Sequence, residues 1–203
     1  MTARDRWNAR YTDRAEIGEP APFVCEIAEL LEPGATVVDL AGGTGRHALW
    51  LAGQGHPATL VDVSSVALDA AAEAAREAGL SLETIERDLE ADGLPLERSW
   101  ALVLMHYYFD PTVVRAAWGA VRPGGLLAVA QPTVTNLERH ERPSRRFLLE
   151  VGQIAELADE LAASASAESS PSDIVTCTEG WRDNDRHEGR LVLRRGPAGS
   201  RAD

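Results

Sequence analysis

Apolar residues along this chain fall into short runs separated by stretches with helical spacing. Val37–Leu40, Thr59–Val63, Ala101–Met105 and Leu126–Ala130 are mostly apolar and show no polar alternation, and Leu82–Ile85 is a weaker run of the same kind. Runs of this type predict strands buried on both faces. Between them, Arg46–Ala52, the alanine-rich Val66–Ala78 closed by Gly79, Thr112–Val121 and Phe147–Ala163 predict helices. Pro22–Leu31 precedes the first strand, with Phe23, Val24, Ile27, Leu30 and Leu31 at helical spacing and Pro33-Gly34 as its stop. The alternation predicts a parallel sheet covered by helices on both sides. Ile174–Thr178 and Arg190–Leu193 read as strands with no helix between them, which predicts an antiparallel pair closing one edge. Residues 1–20 are polar, with Trp7 and Tyr11 as isolated aromatics. Residues 162–173 read as a flexible loop and 196–203 as a disordered tail. No repeat is visible, so residues 1–203 read as a single domain.

Composition narrows the chemistry. The 203 residues are 44% hydrophobic, enough for a full core, and carry a net charge of -12. An acidic surface repels phosphate backbones, so nucleic acid is not the expected partner. The two cysteines, Cys25 and Cys177, match no metal or redox spacing, and reduced thiols in a cytoplasmic protein are the simpler reading. No metal site is expected. No apolar run reaches the ~20 residues of a membrane span, and the charged start, Met-Thr-Ala-Arg-Asp-Arg-Trp, lacks a signal-peptide core.

The candidate chemistry lies at the ends of the strands. Asp39 sits inside Val37-Val-Asp-Leu-Ala-Gly-Gly-Thr-Gly-Arg46, just before a glycine turn. Asp62 ends the next run, and Asp88-Leu-Glu90 follows the third. Gly43-Thr-Gly45-Arg-His-Ala48 fits the loose nucleotide-binding pattern, which nicotinamide-binding folds share. Asp39 separates the two possibilities. A pyrophosphate at this turn is repelled by a carboxylate, whereas an ammonium group is attracted. Asp88 can accept a hydrogen bond from an adenine amino group, and Arg122-Pro-Gly-Gly125 predicts a tight turn ahead of the fifth strand. Each feature has a structural alternative. Asp39 can be a structural acid, Asp62 with Ser64-Ser65 can cap the next helix, and Asp88 can be a turn residue. Their order at consecutive strand ends favours a nucleoside ligand with a cationic tail, which S-adenosylmethionine satisfies.

These residues resemble the class I S-adenosylmethionine-dependent methyltransferases. The tellurite-resistance/thiopurine methyltransferase-like group is the nearest subgroup, through Trp7-Asn-Ala-Arg-Tyr11, Val38–Arg46, Gly55-His56, Val61–Ser64, Asp88–Glu90 and Pro123–Gly125. The resemblance implies a Rossmann-like three-layer sandwich with seven strands, mostly parallel, the last one antiparallel. It implies S-adenosylmethionine across the carboxyl ends of the first four strands, with S-adenosylhomocysteine as product. Asp39 and the backbone of Ala41, Gly42, Gly43 and Gly45 would surround the methionine part. Asp62 would take the ribose hydroxyls, Val63 would pack on adenine, and Asp88 and Leu89 would frame it. Met105 and His106 would lie near the sulfonium, and Arg10 and Tyr11 of the 1–20 segment would close the site. Thr44 and His47 depart from the Glu and Asn expected in the subgroup's glycine motif, so no tellurite or thiopurine acceptor is carried over.

Methyl transfer from a sulfonium needs positioning more than acid–base help, so no single residue must be catalytic. Three candidates stand out. His106 can deprotonate a hydroxyl or thiol or simply pack beside the cofactor, Tyr107 can line an aromatic pocket, and Arg142 lies in the arginine-rich 136–146 connection. Arg139, Arg142, Arg145, Arg146 and His140 either recruit an anion or form a solvated turn balanced by Glu138 and Glu141. Arg182, Arg186, His187 and Arg190 form a second such cluster. The expectation is transfer to a small-molecule S, Se, O or oxyanion acceptor by a monomer or homodimer. A non-catalytic S-adenosylmethionine-binding protein and a nicotinamide-dependent oxidoreductase are the alternatives.

Overall fold

A computed structural model describes residues 1–12, 16–95, 98–164 and 171–197. Seven strands form one sheet: β1 (Val37–Leu40), β2 (Ala58–Asp62), β3 (Leu82–Glu86), β4 (Trp100–His106), β5 (Val121–Pro132), β6 (Asp173–Trp181) and β7 (His187–Arg194). Their order is β3-β2-β1-β4-β5-β7-β6. The first five are mutually parallel, and β7 runs antiparallel to both β5 and β6. The helices are α1 (Ala3–Thr12), α2 (Pro22–Ala28), α3 (Arg46–Gly53), α4 (Ser65–Glu77), α5 (Pro111–Gly119) and α6 (Gln153–Ala163). No helix among the described residues is long and apolar enough to cross a membrane.

The absence of alternation in the central strands has the expected cause, because both sheet faces are covered. Val38, Leu40, Val103, Met105, Leu127 and Val129 face α5 and α6 in one core. Val37, Leu60, Leu102, Leu104, Leu126 and Ala128 face α2, α3 and α4 in the other. β1 lies between β2 and β4, so chain connections leave it in opposite directions and open a crevice at its carboxyl end. That switch point is where open α/β sheets bind ligands.

Four local readings differ from the pattern-based ones. Residues 1–20 contain a helix, α1, which has no fully buried residue and so shows no apolar stripe. The last helix starts at Gln153 rather than Phe147. Leu148 and Leu149 are buried, but Leu149 bonds Pro132 and Val134 as an extended segment beside β5. Gly152, at φ 81, then turns the chain into α6. The Arg122–Gly125 turn lies within β5, as a bulge between the Val121–Trp100 and Leu126–Leu102 pairs. A Cβ on Gly125 would sit 2.9 Å from the Ala101 carbonyl oxygen, so glycine is required there. Of the 162–173 loop, residues 162–163 complete α6 and Asp173 opens β6, while 165–170 lie outside the described residues. Of the 196–203 tail, 198–203 also lie outside them.

Candidate functional site

A cavity of about 410 Å³ opens at the switch point, between α1 and the carboxyl ends of β1–β4. Among the residues singled out from sequence, Arg10, Tyr11, Ala41, Gly42, Gly43, Asp62, Val63, Asp88, Leu89, His106 and Tyr107 line it. Asp39 lies just beneath its floor. Its carboxylate is 1% exposed, and neither oxygen has a hydrogen-bond partner among the described residues. His47 Nδ1 is 3.7 Å from Asp39 Oδ2, and His47 Nε2 is itself buried without a partner.

Glycine is demanded at this turn by space. A Cβ on Gly42 would fall 2.5 Å from Asp39 Oδ2, and one on Gly43, at φ 58, would fall 2.4 Å from the Tyr11 hydroxyl. Gly45 plays a packing part instead. It caps α3 at φ 76 and sits against Leu60 and Ala71. Met105 is fully buried in the α5/α6 core and does not line the cavity. Arg142 is exposed and also away from it, its carbonyl accepting a bond from Arg186 at 3.3 Å.

Asp62 fastens the turn to β2, with Oδ2 accepting from the Gly43 N–H at 2.8 Å and Oδ1 from the Ser64 N–H at 2.9 Å. Helix α4 is capped by Ser64, which accepts from Ala67 N–H. Burial raises the Asp62 carboxyl above its usual range, and these two bonds oppose the rise. Each oxygen retains a second lone pair for a ligand hydroxyl. Asp88 Oδ1 accepts from the Glu90 and Ala91 N–H groups at 3.1 and 3.2 Å, the turn role weighed from sequence.

Helix α1 forms the lid side of the cavity. Ser64 donates to Asn8 Oδ1 at 2.7 Å and Arg4 pairs with Glu86 at 2.7 Å, which fixes α1 over α4 and β3. Tyr11 stacks on Trp7 at 5.9 Å. Burial, then the nearby Asp62 charge, pushes the Tyr11 phenol up to about 12, so it stays a neutral hydroxyl.

The β4 end carries the groups least visible in the sequence. Arg46 Nη2 lies 3.3 Å from His106 Nδ1, and the His47 and His106 rings are 4.6 Å apart. Burial, with His47, Arg46 and Arg190 nearby, holds His106 well below the usual imidazole value. Tyr107 donates to Glu188, a residue 1% exposed that also receives bonds from Asn184 at 3.1 Å and Arg190 Nε at 2.9 Å. Burial and this bond push the Tyr107 phenol up to about 12. Glu188 and Asn184 lie about 80 residues beyond Tyr107, so only the antiparallel return of β7 beside β5 reveals the cluster.

Part of the cationic 136–146 segment is tied to acids, while Arg142 and Arg146 stay exposed. Arg139 pairs with Asp185 at 2.8 Å, and His140 Nε2 is 2.6 Å from the Asp185 carbonyl. Arg145 pairs with Glu150 at 2.6 Å. In the second cluster, Arg182 bonds Thr178 at 2.8 Å, and His187 Nδ1 is 2.7 Å from Thr133 Oγ1. Both cysteines are free thiols.

Residues 37–125 match the methyltransferase domain family. A curated relative, the tRNA 5-carboxymethoxyuridine methyltransferase of Escherichia coli strain K12, is 30% identical over 128 residues, 60% of this chain and 49% of that protein. The chain therefore spans about half the length of the curated relatives it matches. The magnesium protoporphyrin IX methyltransferase from Synechocystis PCC 6803, solved with bound S-adenosylhomocysteine, superposes with a TM-score of 0.69 at 14% identity, covering 95% of this chain and 98% of the other. TehB from Haemophilus influenzae superposes with a TM-score of 0.68 at 13% identity, covering 95% and 67%. At such identities the structural likeness concerns the fold. The sheet order and the antiparallel β7 give this chain the fold of TehB and of the Synechocystis methyltransferase, and residues 37–125 match the methyltransferase domain family within it.

Proposed function

We propose that the protein binds S-adenosylmethionine at the β1–β4 crevice and transfers its methyl group to a small-molecule nucleophile. The observation that carries this reading is Asp39. A buried carboxylate with no hydrogen bond costs several kcal/mol, and a cation above the Gly42-Gly43 floor offsets that cost. The ammonium of a methionine tail supplies one; a dinucleotide pyrophosphate does not. The other residues fit the same ligand. Asp62 has lone pairs for ribose hydroxyls, Val63 and Leu89 offer apolar surface to adenine, and Tyr11 covers the glycine turn. When bound, the cofactor supplies a methyl group already electrophilic on its sulfonium. The chain then has to orient an acceptor and exclude water, which is where positioning yields most of the acceleration. The solved Synechocystis methyltransferase with S-adenosylhomocysteine supports the choice of cofactor. A small acceptor is favoured because Arg139 and Arg145 are paired with acids rather than free for a polyanion. The proposal includes a cytoplasmic protein acting as a monomer or homodimer.

The test is calorimetric titration with S-adenosylmethionine, S-adenosylhomocysteine and NADH. The expected result is about micromolar binding of the first two and none of NADH. Binding of NADH, or of none of the three, overturns the proposal. Transfer of labelled methyl to a panel of thiols, selenols and oxyanions then separates an enzyme from a protein that only holds the cofactor.

A further inference from the structure

Arg46 is the first residue of α3 and stands half-buried on the cavity wall. It makes no ion pair with a carboxylate among the described residues, and its one side-chain hydrogen bond there goes to His106. A guanidinium has donors only, so His106 Nδ1 must be the acceptor of that bond. The neutral ring therefore carries its proton on Nε2. Its one free lone pair is occupied, and the ring cannot take a proton from an acceptor while Arg46 holds it.

The neighbours supply no other base. Tyr107 directs its hydroxyl to Glu188, and the Glu188 carboxylate is engaged by Tyr107, Asn184 and Arg190. Asp39 is enclosed below the floor, and His47, whose Nδ1 faces it, has its Nε2 buried away from solvent, so neither is open to an acceptor in the cavity. The β4 end of the cavity thus offers an unneutralised cation and an imidazole N–H, but no available proton acceptor. A thiol or hydroxyl acceptor would require deprotonation here, whereas an acceptor that is already an anion would not.

Resting on the methyltransferase reading above, we propose that Arg46 and His106 form the acceptor subsite and that the acceptor is a carboxylate, which leaves as its methyl ester. A carboxylate oxygen provides the lone pair for the new O–C bond. The S–C bond breaks with its electron pair passing to sulfur, and no proton is released. The sulfonium loses its positive charge as the carboxylate loses its negative one, so the charges balance without a base. Arg46 holds and aligns the anion by paired N–H donors, and His106 adds a third through Nε2.

The competing assignment is that Arg46 grips the cofactor's own carboxylate, and the test separates the two. Wild-type protein and Arg46→Gln are titrated with S-adenosylhomocysteine and with 5′-methylthioadenosine, which lacks the amino-acid part. Affinities in Arg46→Gln within about twofold of wild type for both are expected. A loss of about tenfold or more for S-adenosylhomocysteine alone overturns the proposal. Acetate is then titrated into the S-adenosylhomocysteine complex while the His106 ring ¹⁵N shifts are followed. A saturable shift in wild type that vanishes in Arg46→Gln is expected, as is the Nε2–H tautomer in wild type before acetate is added. The opposite tautomer, no saturable shift, or the same shift in both proteins overturns the subsite. Failure of wild type to bind S-adenosylhomocysteine at all removes the methyltransferase reading itself, an outcome distinct from failure of acetate alone.

Discussion

Ala41 and Tyr107, which follow β1 and β4, hold the chain at φ 53 and φ 63, a left-handed backbone that costs a side-chain-bearing residue about 1–2 kcal/mol. Both line the cavity. Tyr107 is kept there by its N–H bond to the Ala130 carbonyl at 2.8 Å and by its hydroxyl bond to Glu188. This turn fixes where His106 stands, and the surroundings of His106 make a prediction about pH. The unfolded chain takes a proton on this imidazole at its ordinary value of 6.5, while the folded protein resists doing so to a lower pH. Its contribution to stability is therefore complete above 6.5 and is lost as pH falls through the lower, folded value. His106→Gln cannot titrate. The urea midpoint of the wild type is expected to fall more than that of the variant between about pH 7 and about pH 5. Parallel falls would mean that the folded ring protonates as freely as in solution.

At the scale of elements, the parallel strands were legible because burial on both faces leaves an unbroken apolar run, as in Ala101–Met105. Helix α1 was not, because its side chains are polar and it is held by three specific contacts. These are Asn8 with Ser64, Arg4 with Glu86, and Tyr11 over Gly43. The stretch Phe147-Leu-Leu was misread for the opposite reason, since apolar residues at the edge of β5 can be buried without helix. The acids of the site were legible by position, but their partners were not. Nothing near Tyr107 in sequence points to Glu188, and the bond that ties up His106 joins residues 60 apart. The way α1 is attached makes a second prediction. A helix with no fully buried residue adds little to the core, so deletion of residues 2–12 is expected to leave a cooperative thermal transition. The same deletion removes Tyr11 and Arg10 from the cavity wall and is expected to weaken S-adenosylhomocysteine by about tenfold or more. Unchanged affinity in the shortened, folded protein would show that α1 does not close the site.

Over the whole molecule, charge weighs on the proposed choice of a small acceptor over a polyanion. All 20 basic residues are arginine, set against 32 acidic ones. Many of those on the surface are spent on neighbours: Arg4 on Glu86, Arg76 on Glu73, Arg98 on Glu83, Arg115 on Glu160, Arg139 on Asp185 and Arg145 on Glu150. Binding a nucleic-acid backbone depends on cations that displace condensed counterions, and each phosphate neutralised steepens the fall of affinity with salt. Recruiting tRNA, as the name of the Escherichia coli relative describes for that protein, would have to work against a net charge of -12 with these arginines already paired. A single carboxylate at Arg46 needs one cation in a partly enclosed cavity, where salt screens less. Fluorescein-labelled bulk tRNA is therefore expected to show no change in anisotropy up to about micromolar protein, even at about 50 mM salt, where non-specific binding is strongest. Binding below that concentration, with an affinity that drops steeply as salt is raised, would locate a basic surface that the ion pairs do not occupy and would replace the small-molecule acceptor with an RNA.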